Sequence, residues 1–448
     1  MVMKQLLTAI ALLLGISGLA NAITANPEFT LHKIESGQPG PTVLVIGGIQ
    51  GDEPGGFHAA SMLVTNYQAT KGSIWVVPNL NFSSIINRSR GLNGDMNRKF
   101  KEVGADDPDY RAVNRIKTLI RNPQIDFIFN LHDGSGFYRP TREDKTHNPD
   151  RWGQSIIIDQ EHVENPQFSN IGDLSRRAIS HINNHLLNND HLYHLRNTYT
   201  SKGNKEMEKT LTYYAINNGK AAVGIEASKN LPTHERVYYH LQAIESLFNE
   251  LGVQFKRDFK LQSKIVKRHV DNDIHIAIAD RLMFDVAGAR KQIRFVPLQQ
   301  NALSKFIANN PLVAITPRKG GYRVSYGNRR MTILDPQYFD YDHSLTTISI
   351  EIDGEQRDIP FGSIVQVENN FNVSPLEGYR VNVIGWHKKG LKNESGITIT
   401  RNKIARRFSV DRKGKLFRVE LYRGDQFSGM VLVKFATTVA QLSHKNNS

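Results

Sequence analysis

The chain has 448 residues, 57 lysines and arginines against 43 aspartates and glutamates, and no cysteine. Without cysteine there are no disulfides, thiol nucleophiles or zinc–thiolate sites, so stability must come from core burial, which is feasible at this length. A formal charge of +14 favours polyanionic surroundings; nucleic acid is the default for a cytoplasmic chain, and the N-terminus argues against that compartment.

That N-terminus reads as an export signal. Lys4 supplies a positive start, residues 6–14 an apolar core, and Ala20-Asn21-Ala22 an A-x-A cleavage site. The apolar run is too short to cross a bilayer comfortably, so cleavage near Ala22 is expected rather than a membrane span. From about residue 24 to 255, strand and helix signals alternate. Strands are predicted at 42–46, 73–78, 125–131, 155–158 and 220–225, and helices at 57–67, 109–121, 170–187 and 233–251. The helix 109–121 places Val113, Ile116, Leu119 and Ile120 at helical spacing. The last helix has Thr233 as its expected N-cap and Gly252 as its stop. Such alternation marks an α/β sheet with helices on its faces. Beyond 255, short alternating runs separated by turns predict strands at 274–279, 312–315, 322–326, 347–352, 364–367, 380–384, 416–421 and 430–435. They read as two small all-β modules, 256–342 and 343–441.

The chemistry-bearing residues fall at the ends of the predicted strands. Gln50 and Glu53 follow the strand 42–46, His132 closes 125–131, and Glu226 closes 220–225. A catalytic zinc takes three protein ligands and keeps one open position. Open α/β sheets gather sites at the carboxyl ends of their strands. Gln50, Glu53 and His132 are therefore the candidate zinc ligands, and Glu226 the candidate base. Singly, each has a plainer reading: a polar helix start, a structural histidine, a surface carboxylate. Their order at separate strand ends argues for one site. Two arginine blocks follow the first pair of ligands, Asn87-Arg88-Ser89-Arg90-Gly91 and Asp95-Met96-Asn97-Arg98-Lys99-Phe100. An Asn-Arg pair near a zinc suits a terminal carboxylate, because guanidinium presents a rigid fork to it.

This order resembles the zinc carboxypeptidase superfamily of the carboxypeptidase A type, whose pattern runs His-x-x-Glu, Arg, Asn-Arg, His, Glu. The departure is Gln50, which stands where that pattern has histidine. With the export signal, the missing cysteine and the appended β modules, the chain more closely resembles the periplasmic DL-carboxypeptidases of helical Gram-negative bacteria. The resemblance implies an α/β fold, with a zinc-carboxypeptidase-like mixed sheet, helices on both faces, and a catalytic domain at 23–255. It implies one Zn2+ held by Gln50, Glu53 and His132, and Glu226 moving a proton from water to the leaving amine. Arg90 would stabilise the oxyanion, and Asn97 and Arg98 would bind the terminal carboxylate. Trp152 and Thr212 are further substrate contacts. The implied reaction trims the peptidoglycan stem tripeptide to a dipeptide, releasing meso-diaminopimelate from γ-D-glutamate and setting cell shape. The implied partners are peptidoglycan stem peptides in the periplasm and cell-shape proteins at the β modules.

Competing readings are a zinc deacylase of a small N-acyl amino acid, which shares the Asp-x-Asn-Arg block, and a non-catalytic envelope scaffold. His181 and His185, four apart on a predicted helix, lack the flanking glutamate of H-E-x-x-H and read as a solvated face. Tyr213 or Tyr214 could bring a phenol to the substrate. A basic run from Arg401 to Arg418 reads as a solvated surface or as adhesion to anionic peptidoglycan.

Overall fold

The computed structural model describes residues 19–21, 27–299 and 306–436. The expected export signal lies mostly outside the described residues, as does its last residue, Ala22. Among those described, no helix is long and apolar enough to cross a membrane.

A mixed seven-stranded sheet organises the first half. Its order is His194–Asn197, Ser155–Ile158, Ala221–Ser228, Phe127–Gly134, Thr42–Ile46, Ser73–Val77 and His32–Glu35. The four strands from Ala221–Ser228 to Ser73–Val77 run parallel, and antiparallel pairings flank them on both sides. Central strands buried on both faces read as continuous apolar runs; Thr42–Ile46 and Phe127–Ile128-Phe129 are such runs. Helices Pro54–Asn66, Ile171–Asn183 and Thr233–Leu251 pack on one another and against the sheet. Thr233 is the first helical residue and Pro232 takes the N-cap position, because proline's fixed φ suits the extended entry. Gly252 ends this helix at φ +78, a left-handed C-cap that glycine adopts without strain.

Two of the central strands run longer than their apolar stretches. Phe127–Gly134 and Ala221–Ser228 continue through the polar residues His132, Asp133 and Glu226, and pair in register with Glu226 opposite His132. Both site residues thus lie within strands rather than beyond their ends.

Helix Ser263–Asp271, which the sequence pattern did not mark, packs on Thr233–Leu251 and buries Val266 and Val270 in the first core. Four four-stranded sheets make up most of the remainder. A second core joins the middle strands to Phe57, Phe82 and Ile85 on one side and to Leu416, Phe427 and Met430 on the other. The last two sheets enclose a third core around Ile350, Phe371, Val383, Phe417 and Val433, a sandwich. Leu19–Asn21 pairs antiparallel with Phe306–Ala308.

Candidate active site

The turn after Thr42–Ile46 delivers the first two candidate ligands. Gly48 has φ +74, and a Cβ at Gly51 would lie 2.2 Å from the Ser84 carbonyl carbon. Only glycines let this turn fold tightly onto the Asn81–Ser84 region, so that Gln50 and Glu53 face inward. Glu53 is the N-cap of helix Pro54–Asn66, where the helix dipole favours a carboxylate. Gln50 and Glu53 are 2 % and 4 % exposed, and His132 is 7 %.

The three side chains meet at one atom. His132 Nδ1 lies 2.9 Å from Gln50 Oε1 and 3.1 Å from Glu53 Oε2. The glutamine's orientation is set from behind, since its Nε2 donates to Asp95 Oδ1 at 2.8 Å and turns Oε1 toward the histidine. Asp95 is itself held: it caps Met96–Arg98 by accepting from the Asn97 N–H and takes two donors from Arg90. Glu53 Oε2 accepts from the Asp133 N–H at 3.1 Å, while Arg90 and Lys229 reach its Oε1 at 3.2 and 3.3 Å. An imidazole nitrogen, a carboxylate oxygen and an amide oxygen converge, the last two braced by further residues. That set fits a divalent metal of the zinc type. Among the described residues no three His, Cys, Asp or Glu side chains cluster as a metal site; here the third donor is an amide.

Glu226 stands beside this set, opposite His132 across the strand pair. It is 8 % exposed, and its Oε2 has no hydrogen-bond partner. Burial pushes its carboxyl well above the usual range, and the negative charges of Glu53 and Asp133 push the same way; Lys229 and Arg90 oppose them. A carboxyl poised to hold a proton, with a free oxygen in a cleft, is the environment of a general base and acid.

The candidate metal, catalytic and substrate-contact residues line one cleft of about 270 Å³: Gln50, Glu53, Arg90, Asn97, Arg98, His132, Trp152, Thr212 and Glu226. Asn97 lies between His132 and the next helix, with Nδ2 3.4 Å from His132 Nε2 and Oδ1 accepting from the Leu211 N–H. Arg98 is partly exposed, donating to the Asn97 carbonyl and 3.7 Å from Glu206. The Trp152 ring carries the Arg196 guanidinium 3.8 Å from its centroid. Thr212 is buried against Thr210. Tyr213 and Tyr214 do not line the cleft; Tyr214 packs on Phe100 and Lys117. The helix ends at Asn183, so His185 lies past it rather than on it; its ring is 4.9 Å from that of His181 and donates to the His181 carbonyl.

Sequence reasoning missed Asp133, Lys229 and Asn130. Asp133 is 1 % exposed, and its carboxylate accepts from the Gly55 N–H, Arg236 and His240 at 2.8–3.1 Å. These charged and hydrogen-bonding partners hold it below the usual carboxylate range against the opposing effect of burial. Asn130, two residues before His132 on the same strand face, lines the cleft with both amide atoms unpartnered.

Candidate metal donors, a buried glutamate and an Asn-Arg pair in one cleft of an α/β sheet are the features expected of a metallocarboxypeptidase. The chain belongs to a specific family of these enzymes: the family described as "carboxypeptidase controlling helical cell shape" matches residues 9–271 through its catalytic model, and a model of the C-terminal domain of metallo-carboxypeptidase matches 341–436. Among solved structures, the apo form of the cell shape determinant protein Csd4 from Helicobacter pylori is 39% identical. The match covers 91% of this chain and 100% of that one, at a TM-score of 0.83. The tripeptide-bound form of that protein matches equally. Its mDAP-bound form, described as a D,L-carboxypeptidase, is 41% identical over 89% of this chain and 97% of that one, at a TM-score of 0.82. No curated protein matches the chain.

Proposed function

We propose that this enzyme removes meso-diaminopimelate from the peptidoglycan stem tripeptide, leaving a dipeptide and so setting cell shape, with one zinc held by Gln50, Glu53 and His132. The observation that carries this reading is the convergence of Gln50 Oε1 and Glu53 Oε2 on His132 Nδ1, beside the unpartnered Oε2 of Glu226. The tripeptide-bound and mDAP-bound forms of the Helicobacter pylori relative support the substrate. Zinc in such a site polarises the scissile carbonyl and lowers the pKa of water.

The chain's residues do the rest. Glu226 accepts a proton from the attacking water on its free Oε2 and delivers it to the departing amine nitrogen. Arg90 donates through Nη1 to Glu53 and through Nε and Nη2 to Asp95; the remaining N–H groups of this half-exposed side chain are available to the developing oxyanion. Asn97 and Arg98 receive the terminal carboxylate, which restricts cleavage to the chain end. Trp152 and Thr212 border the leaving residue. The export signal would be removed near Ala22 and the mature enzyme would work in the periplasm; cleavage there also removes the strand Leu19–Asn21. Catalysis belongs to residues 23–255, with 256–342 and 343–441 as β modules that offer surface to cell-shape proteins.

The test is incubation of zinc-loaded protein with muramyl tripeptide, read by mass spectrometry, with Glu226→Ala as control. Release of diaminopimelate by the wild type alone is expected. No release despite bound zinc would overturn the assignment.

A further inference from the structure

A second cleft, of about 720 Å³, lies far along the chain from the first and shares none of its lining residues. Its walls come from strand Gln292–Leu298 of the middle module, and from strand Leu416–Arg423 and helix Arg406–Phe408 of the last.

Two aromatic rings stand open on these walls. Phe295 is 65% exposed and Phe408 41%. Neither exposure is an accident of a loose loop. Phe295 sits at φ +54, a conformation a bulky side chain adopts only under constraint. The constraint is Arg418, itself 4% exposed, whose guanidinium donates to the carbonyls of Arg294 and Phe295 at 3.0 and 2.9 Å. Phe408 is seated over Gly385, where a Cβ would come 2.8 Å from its own Cβ. Any larger residue there would displace the ring.

Glu420, 2% exposed, also lines this cleft. Its Oε2 accepts from the Tyr422 hydroxyl at 2.7 Å, and its Oε1, outside any hydrogen bond among the described residues, lies 3.3 Å from Arg418 Nη1. Arg294 and Arg407 stand at the rim, both exposed, and Arg407 covers the Phe408 ring at 5.0 Å. A protein segment is usually taken by a continuous apolar groove or an open sheet edge. This cleft offers the Phe295 ring, the face of the Phe408 ring that Arg407 leaves uncovered, and positive charge. The ring faces suit the weakly positive C–H faces of pyranose sugars. The arginines suit the carbonyl oxygens of N-acetyl groups and of the lactyl amides.

We infer that the cleft bounded by Phe295, Phe408 and Glu420 binds the glycan strand of peptidoglycan, an N-acetylated sugar polymer whose lactyl groups carry the stem peptides in amide linkage. It would hold the polymer while the catalytic cleft trims its stem peptides. The inference rests on the proposed substrate of the catalytic cleft, and one experiment separates the two. Wild type, Phe295→Asn, Phe408→Ala and the double variant are each titrated with glycan strands stripped of stem peptides, and each is assayed on soluble stem tripeptide. Asparagine is chosen because it tolerates positive φ. Glycan affinity is expected to fall by about tenfold or more in the double variant, with tripeptide turnover within about twofold of wild type. Wild type that fails to bind glycan strands, or a double variant that binds them as well as wild type, overturns the inference. Glycan binding without tripeptide cleavage would sink the proposed activity and leave this cleft standing; cleavage without glycan binding would do the reverse.

Discussion

Each of the two clefts is lined by a buried glutamate with one oxygen outside any hydrogen bond among the described residues, Glu226 in the first and Glu420 in the second, where Arg418 Nη1 lies 3.3 Å away. Burial raises both carboxyls above their usual range. The neighbours differ in sign. Around Glu226 the close charges include the carboxylates of Glu53 and Asp133, which add to the effect of burial. Around Glu420 they are Arg418 and Arg380, which oppose it, as does the Tyr422 hydroxyl bonded to its Oε2. Burial alone therefore does not make a catalyst. A carboxyl surrounded by like charge holds a proton it can exchange with substrate, whereas one paired with arginine is a fixed part of its wall.

The sharpest way to break this contrast is to neutralise each glutamate in turn. Glu226→Gln should lower kcat/KM on stem tripeptide by about 10²–10⁴, the usual worth of a proton-transfer group, with metal content unchanged. Steady-state kinetics beside metal analysis would show it, and a variant within a few-fold of wild type would remove Glu226 from the chemistry.

A second test is directed at the support beneath Glu226 and the metal donors. Asp133→Ala leaves Arg236 and His240 facing an empty, buried position. Breaking such a buried network costs about 3–5 kcal/mol, and loss of this support should weaken metal binding by about 10–100-fold. Chemical denaturation with metal titration would separate the two effects. A smaller and opposite change is expected for Gln50→His. Imidazole is the stronger donor, so zinc affinity should rise, by about tenfold, without a matching gain in kcat. Unchanged affinity in a chelator competition would indicate that Gln50 is not a ligand.

The smallest effect concerns Glu420. Its folded pKa lies above the unfolded value of 4.5. Its contribution to stability is thus fully present below pH 4.5 and is lost as pH rises through the folded pKa. Glu420→Gln should flatten that decline, so the variant gains on wild type in melting experiments as pH is raised. Equal pH profiles would show that Arg418 and the Tyr422 hydroxyl already cancel the cost of burial.

The catalytic half of the fold was legible because its central strands are apolar runs and its site residues close them. The pattern could not show that Phe127–Gly134 and Ala221–Ser228 continue through His132 and Glu226. Asp133, in the same strand, stays in the sheet because Gly55, Arg236 and His240, distant in sequence, satisfy its carboxylate. For the same reason Asp133 looked like an ordinary charged residue after a histidine. In the β modules, Arg329–Tyr338 and Gln292–Leu298 carry arginines and a proline each, which hide their alternation, yet they pair in parallel across a bulge. Phe295 lies in that bulge, so the second cleft left no signal in spacing at all.

The most direct test of the central claim is a crystal structure of the zinc-loaded enzyme. The account predicts one zinc within bonding distance of Gln50 Oε1, a Glu53 oxygen and His132 Nδ1, with Gln50 Nε2 still donating to Asp95. Zinc held without Gln50, or elsewhere in the chain, would contradict it.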